Sequence, residues 1–138
     1  MRVVSNTSPI IALSGISRID LLQKLYGEIT IPEAVFQEIT SDNLPGCQEV
    51  TSLSWFIKKA ITNKDETASL AMELDTGEAE AITLSLELKA GLLLIDERKG
   101  KLVADRFAVK NVGVLGILLE AKKKNLIKAV KPLLDDLF

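Results

Sequence analysis

The segment GEAEAITLSLELKAGLLLIDERKG, Gly77–Gly100, limits the architecture more than any other part of the chain. From Glu78 to Leu88, apolar residues at Ala81, Ile82, Leu84, Leu86 and Leu88 stand among good helix formers, which predicts a helix. Lys89 and Gly91 predict its stop. Leu92 to Ile95 is a short unbroken apolar run, the pattern of a strand buried on both faces. It ends abruptly in Asp96-Glu97-Arg98-Lys99-Gly100. A helix of about 12 residues rises about 18 Å, and a strand of about 5 residues returns about 16 Å. A strand running back along the helix therefore brings Asp96 to the end where Glu78 begins. Open α/β sheets place ligands at the carboxyl ends of their strands. Two carboxylates meeting there repel, and one pKa rises unless a cation sits between them. A divalent metal on oxygen ligands is the economical explanation. The plainer reading is a helix-start acid and a solvated strand-end acid; acids are common at both places, and the pair alone favours it.

The remaining chain repeats the same alternation. Arg2 to Asn6 reads as a strand with Asn6 at its carboxyl end. Thr7-Ser8-Pro9 then opens a helix, with Pro9 in the first turn, and Ser14-Gly15 closes it. A second helix is expected from Arg18 to Tyr26 and a second strand from Glu28 to Ile31. Pro32 is expected to open the helix PEAVFQEI, with Ala34, Val35 and Ile39 inward. Glu33 suits the helix dipole there; Glu38 reads as exposed or as facing the cleft. Ser41 to Gly46 is turn-rich, and Gln48 to Leu53 reads as a helical turn. Trp55-Phe56-Ile57 with Ala60-Ile61 predicts an edge strand, Thr62 to Glu66 a loop and Thr67 to Leu74 a helix. After Asp96 come a helix from Lys99 to Phe107, a strand from Asn111 to Val114 and a helix from Leu115 to Lys124. A final helix, Ile127 to Leu137, is interrupted by Pro132. Repeated strand-then-helix units imply an α/β fold with a mostly parallel central sheet covered by helices on both faces, and one domain over residues 1–138.

Composition matters chiefly for what it excludes. The chain has no histidine and one cysteine. That removes His-based triads, His-ligated zinc and thiolate clusters together. Metal chemistry here must use hard oxygen ligands, which favours magnesium or manganese. Cys47, beside Pro45-Gly46, reads as an inert loop thiol, and a lone cysteine suits a reducing cytoplasm. No signal peptide is expected before RVVSN, nor does any stretch approach the roughly 20 apolar residues of a membrane span. A net charge of −2 requires any nucleic-acid surface to be a local patch.

Asn6, Glu38, Glu78 and Asp96 fall at strand ends or on helices near them. An oxygen cluster at one edge of a parallel sheet suits one or two divalent ions and phosphodiester hydrolysis. The segments VVSNTSPIIAL, ITIPEAVFQEI, LDTGEAEAITLSLELKAGLLLIDERKGKLVA and VGVLGILLEAKKKNLI together resemble the PIN-domain superfamily of metal-dependent ribonucleases. The likeness is closest to the small prokaryotic PIN-like branch labelled DUF3368, and it covers essentially the whole chain. The resemblance implies a three-layer α/β/α fold, a pocket binding Mg²⁺ or Mn²⁺, and cleavage of single-stranded RNA. Many members are toxins of toxin–antitoxin pairs, so RNA, an antitoxin protein and a second copy in a homodimer are the implied partners. Carried over by position, the metal ligands fall on Asn6, Glu78 and Asp96 and the catalytic acids on Glu38, Glu78 and Asp96. Thr7, Ser8, Glu80 and Glu97 are the implied auxiliaries. Asn6 departs from the usual aspartate and removes a full negative charge from the site.

Three functions compete. The first is a metal-dependent ribonuclease. The second is a PIN-like module, crippled at Asn6, that binds RNA or protein without cutting. The third is a regulatory or small-molecule α/β domain, although no glycine-rich phosphate loop supports nucleotide binding. Arg98, Lys99 and Lys101, with Lys58, Lys59 and Lys122 to Lys124, are candidate phosphate contacts; each one singly reads as a solvated surface charge.

Overall fold

A computed structural model describes residues 1–137 of the chain. Among them the elements run β1 (Val3–Ser5), α1 (Thr7–Gly15), α2 (Asp20–Tyr26), β2 (Ile29–Pro32), α3 (Glu33–Ser41), α4 (Cys47–Ser52), β3 (Phe56–Lys59) and α5 (Lys64–Leu70). They continue with α6 (Thr76–Leu88), β4 (Leu92–Leu94), α7 (Arg98–Arg106), β5 (Asn111–Val112), α8 (Val114–Lys123) and α9 (Lys131–Leu137). The strands form one sheet in the order β3-β2-β1-β4-β5, and every neighbouring pair is parallel.

That order places a switch point at the centre. From β1 the chain first builds outward through β2 to β3, then returns to add β4 on the other side and β5 beyond it. Ser5 pairs with Leu94, and the Asn6 N–H donates to the Leu94 carbonyl at 2.9 Å. The carboxyl ends of β1 and β4 thus lie side by side, where an open parallel sheet leaves a crevice.

Strand alternation divides the interior in two. Val3, Leu92 and Leu94 face one layer with Leu13, Leu21, Leu22, Val35, Ile117 and Leu118. Val4, Leu93 and Ile95 face the other with Leu70, Ala79, Ile82, Leu84 and Val103. The architecture is therefore a three-layer α/β/α sandwich, as the sequence pattern predicts. Helix α6 is buried along most of its length, hydroxyls included. Thr83 and Ser85 satisfy theirs on the carbonyls of Ala79 and Ala81, at 2.9 and 2.8 Å. Lys89 ends it in a left-handed conformation (φ 50°).

Several boundaries differ from expectation. Pro32 closes β2 instead of opening α3: its backbone is extended and pairs with Lys59. Strand β3 is an edge strand as expected, but it starts at Phe56 and takes in Lys58-Lys59, leaving out Trp55, Ala60 and Ile61. Helix α5 begins a turn early, because the Asn63 side chain accepts from the Glu66 N–H at 3.0 Å and caps it, and it stops at Leu70. Residues 127–130 are not helical. Asn125 turns left-handed (φ 61°) just past α8, and Pro132 sits in the first turn of α9, where its missing N–H costs nothing.

Candidate metal centre

Asn6 follows the last residue of β1 and is only 4% exposed, yet its Oδ1 has no hydrogen-bond partner. It occupies the position before α1 without capping that helix through its side chain. A buried carbonyl oxygen left unpaired is uncommon and calls for an explanation. The Thr7 hydroxyl donates to Glu38 Oε2, which fixes that carboxylate across the gap from α3 to α1. The Ser8 hydroxyl is buried without a partner.

Glu38 is exposed and lines a cleft of about 390 Å³ with Ala34, Gln37, Ser41, Asp75, Thr76 and Gly77. Asp75, which lies outside the residues the resemblance implies, lines the same cleft. Its Oδ1 accepts the Glu78 N–H at 2.7 Å, while the Glu78 carboxylate reaches back to the Asp75 N–H at 3.3 Å. This is a reciprocal capping box, and the spacing D-x-x-E just before an apolar helix was its signal.

Glu78 is 6% exposed. Burial pushes its pKa up; the Asp75 N–H opposes that, and the Asp75 and Glu97 carboxylates add to it. Its Oε2 also lies beside the first turn of α7, 3.0 Å from where a methyl on Gly100 would fall. A pKa raised in the fold means the native chain holds this proton more tightly than the unfolded chain does. The corresponding stability is complete at low pH and is lost as pH rises through the raised value. Glu78→Gln keeps a capping acceptor and removes the charge. With chelator present, its Tm should exceed that of wild type at pH 7, and the gap should close below pH 4.5, the ordinary glutamate value. A lower Tm at pH 7 would contradict the burial argument.

Asp96 stands just past β4 and turns towards α8. Its Oδ1 accepts the Val114 N–H at 2.9 Å, so it caps a helix whose own N-cap, Gly113, has no side chain. A methyl on Gly113 would fall 2.5 Å from that oxygen. Glu80 is turned to α3: its Oε1 accepts the Ala34 N–H at 3.1 Å and docks that helix against α6. Glu97 is the exposed N-cap of α7. Arg98 and Lys99 on the same turn are exposed, and Lys101 Nζ reaches the Ile95 carbonyl at 3.4 Å, next to Asp96.

All four motif positions therefore lie at the carboxyl edge of the sheet, in two neighbourhoods. Asn6 and Glu38 gather with Asp75 around Gly77. Glu78 and Asp96 flank the turn into α7, with Asp96 engaged by α8. Among the described residues no three acidic, cysteine or histidine side chains converge closely enough to hold a metal as they stand.

The family model for DUF3368, a PIN domain, matches residues 2–138. The chain belongs to this family of PIN domains. No curated protein matches it. PIN domains are typically nucleases that use divalent metal ions, and this one has the nuclease-like fold. Its donor chemistry fits such an ion: the side chains of Asn6, Glu38, Glu78 and Asp96 can offer oxygens, one of them buried and unpaired, and no Lys or Arg forms an ion pair with Glu38, Asp75, Glu78 or Asp96 among the described residues. No helix of the PIN domain described here is long and apolar enough to cross a membrane.

Proposed function

We propose that this PIN domain is a metal-dependent endoribonuclease that cuts single-stranded RNA. The observation that carries the reading is the buried, unpartnered Asn6 Oδ1 beside Glu38 at the central switch point of a PIN fold. Asn6, Glu78 and Asp96 would hold Mg²⁺ or Mn²⁺. Such an ion supplies Lewis-acid polarisation of a phosphate oxygen and a more acidic water. Glu38, oriented by the Thr7 hydroxyl, has a second carboxylate oxygen with which to accept the proton of an attacking water. Arg98, Lys99 and Lys101, on the first turn of α7, would bind the RNA phosphates on the Asp96 side. The resemblance to toxin nucleases supports a cytoplasmic toxin role with an antitoxin partner and a homodimeric state.

A second reading has its own observation. Asn6 is neutral and Asp96 is spent on a helix cap, which favours a module that binds RNA without cutting it. One experiment separates the two. Purified protein is incubated with single-stranded RNA in Mn²⁺, in Mg²⁺ and in chelator. Cleavage only with metal supports the nuclease. Cleavage that survives chelation rules out the metal mechanism, and retention of RNA without cleavage favours the binding module.

A further inference from the structure

The outer face of α7 carries side chains that the fold does not use. Leu102 sits at its centre, 57% exposed and in neither core layer. Arg98 and Lys99 stand one turn before it and Asp105 and Arg106 one turn after, at the three- and four-residue spacings that share a helix face. Arg106 makes a two-pronged bond to Glu73, at 3.0 and 3.3 Å, in the turn after α5. That clasp sets Met72, the neighbour of Glu73 and 88% exposed, beside the same face. Phe107, also exposed, ends the helix. Single exposed apolar side chains are ordinary, but three along one charged helix mark a contact surface.

Charge selects the occupant. From Arg98 to Lys110 the sequence has five basic residues and one acid, although the whole chain is net −2. The acids of this face are already engaged: Asp105 accepts the Asn111 amide at 2.7 Å, and Glu73 holds Arg106. Arg98, Lys99 and Lys101 form no ion pair among the described residues. The face therefore suits an anion that also has apolar surface to lay down. Single-stranded RNA has both, phosphates for Lys and Arg and a flat face on every base. Position favours RNA over an acidic peptide. The face begins two residues after Asp96, and α7 carries it about 13 Å away from that edge of the sheet.

We propose that single-stranded RNA runs from the cleavage site along the outer face of α7, with phosphates on Arg98 and Lys99 and bases against Leu102, Met72 and Phe107. The proposal rests on the ribonuclease reading and deepens it: part of the grip on the substrate lies outside the metal centre and needs no metal. The Glu73–Arg106 clasp then acts as a positioning contact that holds Met72 against the track.

Fluorescence anisotropy of the whole chain in chelator tests this, with labelled oligouridines of about 12 and about 3 nucleotides as probes. The double variant Met72→Ala/Leu102→Ala changes only exposed side chains, and Phe107→Leu removes the ring while keeping apolar bulk. Each should weaken binding of the long probe by about fivefold or more, and weaken the short one less, with thermal melting unchanged for the double variant. Lys99→Ala should lower the slope of log affinity against log salt by about 0.7. Long-probe binding as in wild type for all three overturns the track, and leaves the nuclease reading intact if wild type still cuts RNA with metal. Equal losses on both probes place the effect in the metal cleft and also overturn it. So does an oligoglutamate of the same length that binds as tightly as the long probe, which marks a face for an acidic protein. Wild type that neither binds nor cuts RNA overturns both readings. The expected losses without cleavage by wild type support the track and count against the nuclease.

Discussion

Asp96→Asn is expected to lower metal-dependent RNA cleavage by about a hundredfold or more while leaving the fold in place. The first half follows from charge. Asp96 stands at the carboxyl end of β4, next to the end of β1 and two residues before the basic first turn of α7, whose Lys101 reaches the neighbouring Ile95 carbonyl. Replacing it removes a full negative charge from a site already short of one at Asn6. Loss of even an indirect metal contact costs about 10–100-fold in affinity or activity, and a direct ligand should cost at least that. The second half follows from the hydrogen bond to Val114. Asparagine retains an Oδ1 acceptor, so α8 keeps its cap. Asp96→Ala removes both charge and cap, and should lose a further ~1 kcal/mol of stability. Cleavage assays and thermal melts on the two variants separate the roles. Unchanged cleavage in Asp96→Asn would place the chemistry elsewhere.

The fold was legible because its signals are local. The apolar run Leu92–Ile95 and the helix before it carry their periods in consecutive residues, and a parallel sheet follows from their repetition. The candidate site was legible only as far as its edge. That Asn6 and Asp96 sit at neighbouring strand ends follows from topology. Which way each acid turns does not, because the deciding partners are backbone N–H groups far along the chain. Glu80 is drawn to Ala34 and Asp96 to Val114, and no spacing rule links those residues. Asp75 is the instructive case. Its D-x-x-E spacing marks a helix start, and nothing in that capping role signals its place on the cleft beside Glu38. Pro32 and Asn63 moved helix boundaries for the same reason: a cap or a strand partner outweighed the composition of the segment.

Asn6→Asp should make the protein's stability depend on metal. Wild type buries a neutral amide at this position, 4% exposed, with its oxygen unpaired. A carboxylate there lies beside the fixed Glu38 oxygen, on the same sheet edge as Glu78, whose ionisation burial already disfavours. An uncompensated buried charge costs on the order of 3 kcal/mol, so in chelator the variant should melt well below wild type. A ligand present at a hundred times its Kd returns about 2.7 kcal/mol. The two terms are comparable, so saturating Mn²⁺ should bring the variant's Tm back to near that of wild type in chelator, with Mn²⁺ bound more tightly than by wild type. Cleavage should rise with it, because the added charge strengthens the ion's hold. If the two proteins melt alike in chelator and Mn²⁺ shifts neither, residue 6 does not face a cation, and the unpaired oxygen of Asn6 answers to something other than a metal.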